Sequence, residues 1–166
     1  MSKKNLHIVR HGKSSWDFED ISDIDRPLSP RGINNAYLMA KKLSERKIEP
    51  DLFITSPANR ALYTSTIFAR VLKFPYEKIR IYDEIYMGYT DDLIKLLRKQ
   101  DNSISTILMF GHNPAFTALA NQLMDKDLEN IPTAGIVSLT FDIDTWEQLG
   151  KKSPEKDFFD YPKRYS

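Results

Sequence analysis

The chain has 166 residues, 24 Lys and Arg against 23 Asp and Glu, three His and no Cys, with 41% hydrophobic residues. That length and balance suit one soluble domain spanning 1–166, with its core at about 5–143 and a tail at 151–166. A formal net charge of +1 and the missing cysteines argue against bulk nucleic-acid or membrane binding, disulfides, thiolate-held metal and a cysteine nucleophile.

The polar start, Met1 to Lys4, leads into a short apolar run, Leu6–Val9. That run is too short for a signal peptide, and no stretch approaches the ~20 apolar residues of a membrane span. The chain therefore reads as unexported and cytoplasmic. Leu6–Val9 itself reads as a buried strand and ends in Arg10-His11-Gly12. His7 lies within it and reads as structural. Trp16–Pro27 is acidic and has no period, so a loop is expected there. It follows the strand end directly, which makes it the choice for substrate selectivity. Ser29-Pro30 then supplies an N-cap and a first helical residue. Ile33, Ala36, Tyr37, Ala40 and Leu43 recur at helical spacing through about Arg46.

A second strand at Leu52–Ile54 ends in Thr55-Ser56-Pro57, where the start signal repeats. Ala61, Leu62, Ser65, Ala69 and Leu72 trace the face of the helix that follows, and Arg60 lies in its first turns. A weaker strand is expected at Ile79–Tyr82, then a shorter helix at Tyr89–Lys99 with Leu93, Leu96 and Leu97 as its apolar positions. Thr106–Phe110 is a third strong strand and ends in Gly111-His112-Asn113-Pro114. Phe116, Leu119, Ala120, Leu123 and Met124 mark the next helix, and Ile136–Phe141 reads as another strand. Lys151–Ser166 is charged and aromatic without a period, so an irregular or partly disordered tail is expected, its aromatics covering an apolar surface of the same domain. Strands alternating with helices predict an α/β fold, with a mostly parallel central sheet and helices on both faces.

Ligands of open α/β sheets bind beyond the carboxyl ends of the strands. Arg10, His11, Arg60 and His112 all fall there. Each has an ordinary reading alone: a hydrogen-bonded histidine beside a cap, or a salt-bridged helix arginine. Together they form a cationic cluster, which is costly in an interior unless an anion or solvent fills it. Arginine forks fit phosphoryl oxygens two at a time, helix N-termini favour anions, and imidazole serves as a nucleophile when neutral. The chemistry that uses this set is phosphoryl transfer through a phosphohistidine, with no metal and no cofactor.

The motifs LHIVRHG (Leu6–Gly12), SPANR (Ser56–Arg60) and GHNP (Gly111–Pro114) resemble the signatures of the histidine phosphatase superfamily, whose phosphoglycerate-mutase-like fold is a three-layer sandwich. HGKSSW (His11–Trp16) followed by DRPLSPRG (Asp25–Gly32) is similar to its small SixA-type phosphohistidine phosphatases. The resemblance runs in order from about residue 5 to residue 143. It implies His11 as the nucleophile, with Arg10, Arg60 and His112 holding the phosphoryl oxygens. Glu84 is the nearest match to the superfamily's general acid, although its spacing to Gly88 is not the mutase spacing. Gly12, Lys13, Ser14 and Asn113 are expected around the phosphate, with Gly12 letting the backbone approach a ligand closely. Where mutase-like members carry Glu and a distal Asn after the RHG triplet, this chain has Lys13 and Asp17. It is also too short for the segments that close over a metabolite. The implied substrate is a phosphorylated protein of the histidine-phosphotransfer or phosphocarrier type. A small phosphate ester and a non-catalytic phosphate-binding module are the alternatives.

Overall fold

The computed structural model describes residues 3–166; Met1 and Ser2, part of the polar start, lie outside the described residues. Its centre is one six-stranded sheet. In chain order the elements are β1 (Lys4–Arg10), α1 (Pro30–Glu45), β2 (Leu52–Thr55), α2 (Asn59–Leu72), β3 (Arg80–Ile81), α3 (Asp83–Met87), α4 (Thr90–Arg98), β4 (Thr106–Gly111), α5 (Ala115–Met124), β5 (Ile136–Phe141) and β6 (Lys156–Asp160). The strand order is β3-β2-β4-β1-β5-β6. The four strands from β3 to β1 run parallel, while β5 lies antiparallel to both β1 and β6.

The apolar runs are continuous because both faces of the sheet are covered. Successive strand side chains point to opposite faces. Leu52, Ile54, Ile107 and Met109 enter one core with Leu93, Leu97, Phe116 and Leu119 of α4 and α5. Phe53, Leu108 and Phe110 enter the other with Ala36, Met39, Ile67 and Phe68 of α1 and α2. Phe53 stacks on Phe74 with ring centroids 4.4 Å apart, and Phe68 meets Phe110 edge-on at 5.2 Å. The expected fold class therefore holds.

The expected helix α1 starts where its signal lies: Ser29 Oγ accepts from the Gly32 N–H, with Pro30 as first residue. The second start signal misplaces its helix. Ser56 Oγ accepts from the Ala58 N–H, so the chain makes one more turn and α2 begins at Asn59. Its buried face is Arg60, Ala61, Thr64, Ser65, Ile67, Phe68 and Ala69, rotated from the expected one, which leaves Leu62 and Leu72 half-buried.

The tail is ordered. Its residues Lys156–Asp160 form β6 on the edge of the sheet, and a turn at Pro162–Tyr165 follows. Charged Lys156 and Asp157 suit an exposed edge strand but hide the strand pattern. The turn is held by the Tyr165 hydroxyl donating to Asp160 Oδ2 (2.7 Å) and by Arg164 beside Asp160 (3.3 Å). Arg46 over Phe158 (3.8 Å) and Lys42 over Tyr165 (4.2 Å) fasten the tail to the end of α1. The aromatics thus cover the domain, as expected, but through a strand and cation–π contacts.

Candidate active site

The carboxyl ends of β1, β2 and β4 meet at one sheet edge. Arg10 pairs in register with Gly111, so the residues after β1 and β4 emerge side by side. The His11 N–H donates to the Gly111 carbonyl at 3.0 Å, and the Ala134 N–H donates to the carbonyls of Arg10 (3.1 Å) and His11 (3.0 Å). Ala134 sits at φ 61°, a left-handed conformation uncommon for a residue with a Cβ, so the turn before β5 is strained where it clasps this strand end.

These contacts bring the His11 and His112 rings to 5.1 Å between centroids. His11 Nδ1 lies 2.6 Å from the Gly12 carbonyl oxygen. A carbonyl only accepts, so Nδ1 carries the proton and a neutral His11 has its lone pair on Nε2. His112 Nε2 is 2.7 Å from Ser56 Oγ. Burial, reinforced by Arg60, Arg10 and Arg26, pushes the His11 pKa down to about 4, against a weaker opposing effect of the Gly12 hydrogen bond. Burial, with His11 and Arg60, brings His112 down to about 3. Both rings are therefore neutral at pH 7.

Three guanidiniums surround this pair. Arg10 Nη1 donates to the Ile131 carbonyl at 2.9 Å. Arg60 donates to the Asp23 backbone carbonyl from Nη1 (2.7 Å) and to Asp23 Oδ2 from Nη2 (3.0 Å). Buried Arg26 packs under the exposed face of Trp16, 3.6 Å from the ring centroid. Its Nε lies 3.4 Å from Asp23 Oδ1 without the geometry of a hydrogen bond. Asp23 also accepts from the Tyr86 hydroxyl at 2.6 Å, and Tyr86 meets His112 edge-on at 5.5 Å. Among the described residues, six buried side-chain nitrogens lack a partner, and five belong to Arg10, Arg26, Arg60 and His112. Such a concentration of unspent donors and positive charge is stabilised by an oxyanion.

Among the described residues Asp23 is the one carboxylate in direct contact with this cluster, and it serves two buried arginines while itself 55% exposed. Asp23→Asn is expected to lower stability by about 1 kcal/mol in phosphate-free buffer, the exposure discounting the pair. Saturating phosphate should narrow the difference by neutralising the same guanidiniums. Urea unfolding of both proteins, with and without phosphate, checks this; equal stabilities without phosphate would mean that the pair is solvated.

Arg10, His11, Arg60 and His112 are thus brought together, and the remaining expected residues are placed differently. Glu84 is exposed in the first turn of α3 and makes no side-chain hydrogen bond to the cluster; from that helix Tyr86 reaches it instead. Gly12 is required for chain packing. A Cβ there would stand 2.7 Å from the Gly32 carbonyl oxygen, and one on Gly32 2.1 Å from the Lys13 carbonyl oxygen, so α1 presses directly against the strand end. Asn113 spends its amide on Asn130 (2.8 Å) and the Ile131 carbonyl (2.9 Å), and its side-chain carbonyl on Thr117. Its side chain therefore has no donor left for phosphate. Lys13 is exposed, and Ser14 is buried where it bridges to Leu28. The acidic loop lies against the site, but Asp23 enters it while Asp25 accepts from Ser22 (2.9 Å). His7 is remote from the cluster, buried with Nδ1 2.7 Å from Ser138 Oγ.

The sequence profile of the histidine phosphatase superfamily (branch 1) matches residues 6–102, more than half the chain. An uncharacterized protein of Mycobacterium tuberculosis is 30% identical over 141 residues, which span 79% of this chain and 85% of that protein. The solved structure of the protein histidine phosphatase SixA complexed with tungstate matches with a TM-score of 0.80 at 25% identity, covering 98% of this chain and 99% of that one. A proposed phosphohistidine phosphatase SixA from Nakamurella multipartitia shares the fold with a TM-score of 0.82 at 21% identity, over 98% of both chains. No helix among the described residues is long and apolar enough to cross a membrane. The profile match covers β1 through α4, including both the Arg10-His11 strand end and Arg60, and on that ground, together with its SixA-type fold, the chain belongs to the histidine phosphatase superfamily.

Proposed function

We propose that this chain is a cytoplasmic, metal-independent phosphatase that takes the phosphoryl group of a phosphohistidine in a signalling or phosphotransfer protein onto His11 and releases it as inorganic phosphate. The observation that carries the reading is the state of His11: neutral, with Nδ1 tied to the Gly12 carbonyl and Nε2 free, inside a ring of guanidiniums. Nε2 attacks phosphorus in line, the Nε2–P bond forms, and the P–N bond of the substrate breaks. Arg10, Arg60 and Arg26 offset the charge on the equatorial oxygens, as a metal ion does elsewhere. Water then attacks the phosphoenzyme, the Nε2–P bond breaks, and His11 returns to its neutral state.

The substrate class follows from the proton balance. A departing alkoxide needs a strong general acid, whereas a departing imidazole accepts a proton readily near neutral pH. Glu84 is exposed outside the cluster, and the Tyr86 phenol is held above its usual range by its hydrogen bond to Asp23, which makes it a poor proton donor. Tungstate, bound in the SixA structure, is a tetrahedral oxyanion like phosphate, which fits a phosphoryl pocket here.

The test measures phosphate release from a histidine-phosphorylated phosphotransfer protein and from an aryl phosphate, each with and without chelator. Faster release from the protein, insensitive to chelator, is the expected result. Preference for the aryl ester would overturn the substrate, and no turnover of either would overturn the phosphatase reading. In the same assay Arg60→Ala should lose about 10²–10³ in kcat/KM, the cost of one transition-state donor. Near-normal turnover would remove Arg60 from the phosphoryl site.

A further inference from the structure

Beside the cluster, on the β5–β6 side, lies a groove of about 380 Å³ that shares Arg10 with it. Lys13, Arg31 and Lys163 line it too, with polar groups of Asn130 and Tyr161, and among the described residues no carboxylate does. Among the described residues none of these four cations takes part in an ion pair. In a chain whose formal net charge is +1, four unpaired cations around one groove are a local concentration with no counterpart in the overall composition. They come from three distant parts of the sequence. Arg10 and Lys13 flank His11, Arg31 lies in the first turn of α1, and Lys163 sits on the C-terminal turn that Asp160, Tyr165 and Arg164 hold in place. The groove is thus assembled by the fold, and the ordered tail completes it.

The geometry points to this groove as a second anion subsite, which takes an acidic segment of the protein substrate while the phosphoryl group occupies the His11 cluster. The assignment rests on the phosphatase reading above and narrows its substrate to a protein with carboxylates near the phosphohistidine. Charge complementarity selects carboxylates, and like charges gathered without counterions favour several of them at once. A macromolecule is favoured over a small metabolite by the loop after β1, where Trp16 (75%), Phe18 (54%) and Ile24 (37%) are exposed beside the site. Apolar surface of that kind is covered by a protein partner.

The test compares the full chain with its Arg31→Gln/Lys163→Gln variant, whose altered side chains are both exposed and make no hydrogen bond among the described residues. Circular dichroism should show the two to be equally folded. Fluorescein-labelled hexaglutamate is expected to bind the wild type, with affinity falling as salt rises, and to bind the variant about tenfold more weakly. KM for an acidic phosphohistidine protein should rise by a similar factor, with kcat unchanged and aryl phosphate turnover unaffected. Equal hexaglutamate affinity for both proteins, or no binding to the wild type, overturns the subsite. Binding of tripolyphosphate in place of hexaglutamate overturns the acidic segment, because the groove would then serve a small polyanion. Failure of the phosphatase reading is separately visible, as absent turnover of both phosphorylated substrates while hexaglutamate still binds.

Discussion

His11→Ala abolishes phosphate release and covalent labelling together. Labelling with a radioactive phosphohistidine donor should give wild type an acid-labile, base-stable phosphate and leave the variant blank, with turnover down by at least about 10⁴. The second imidazole, only 5.1 Å away, makes the experiment decisive. His112 spends Nε2 on Ser56, and its Nδ1 is buried without a partner. His11 spends Nδ1 on a carbonyl that can only accept, so its other nitrogen must carry the lone pair in the neutral ring. His112→Ala should therefore still be labelled, more slowly, because it removes a group beside the phosphoryl oxygens and leaves the nucleophile. Label surviving on His11→Ala would move the nucleophile to His112. Label lost equally from both variants would mean that the pair works as one unit.

The parts of this site on strand ends were legible in the sequence, because a strand buried on both faces reads as an unbroken apolar run and stops sharply. Leu6–Val9 runs straight into Arg10-His11, and Thr106–Phe110 into Gly111-His112, so topology alone sets those residues side by side. Arg26, Asp23 and Tyr86 were not legible. Arg26 and Asp23 belong to an aperiodic loop and Tyr86 to a five-residue helix, and what places them is the path of the loop, fixed by Trp16 on Arg26 and by Asp23 on Arg60. Asp25, two residues away, offered the same charge and gave no sign that it stays outside. The start of α2 was misread because a Ser-Pro signal has two outcomes: Ser56 turned its hydroxyl to His112 and to the Ala58 N–H, and did not cap a helix at Pro57. The strand β6 escaped because a short charged edge strand carries neither the apolar run nor the alternation that marks its neighbours.

Acidification should unfold this protein steeply between about pH 6.5 and 4, and bound phosphate should shallow the fall. Burial is the largest cause holding His7 and His11 down to about 4 and His112 to about 3, against an ordinary value of 6.5. The unfolded chain protonates these rings near 6.5 and the folded chain does not. The unfolded state therefore binds more protons below pH 6.5. The stability is intact above that pH and is lost as pH drops towards the folded values. Each histidine contributes a slope of up to ~1.4 kcal/mol per pH unit, so three together reach about 4, against a typical total stability of 5–15 kcal/mol. Phosphate beside His11 and His112 favours their charged forms, raises both folded pKa values and removes much of their share. His7, in the middle of β1 with its ring against Ser138, keeps its share with or without the anion. Urea midpoints at pH 7, 6, 5 and 4.5, with and without phosphate, separate the two contributions, and His7→Asn should flatten the curve equally in both buffers. A midpoint unchanged from pH 6.5 to 5 would mean that these imidazoles are solvated in the folded chain, which removes the basis for a neutral His11. A slope indifferent to phosphate would place the anion away from the two rings and leave the guanidiniums without a nucleophile between them.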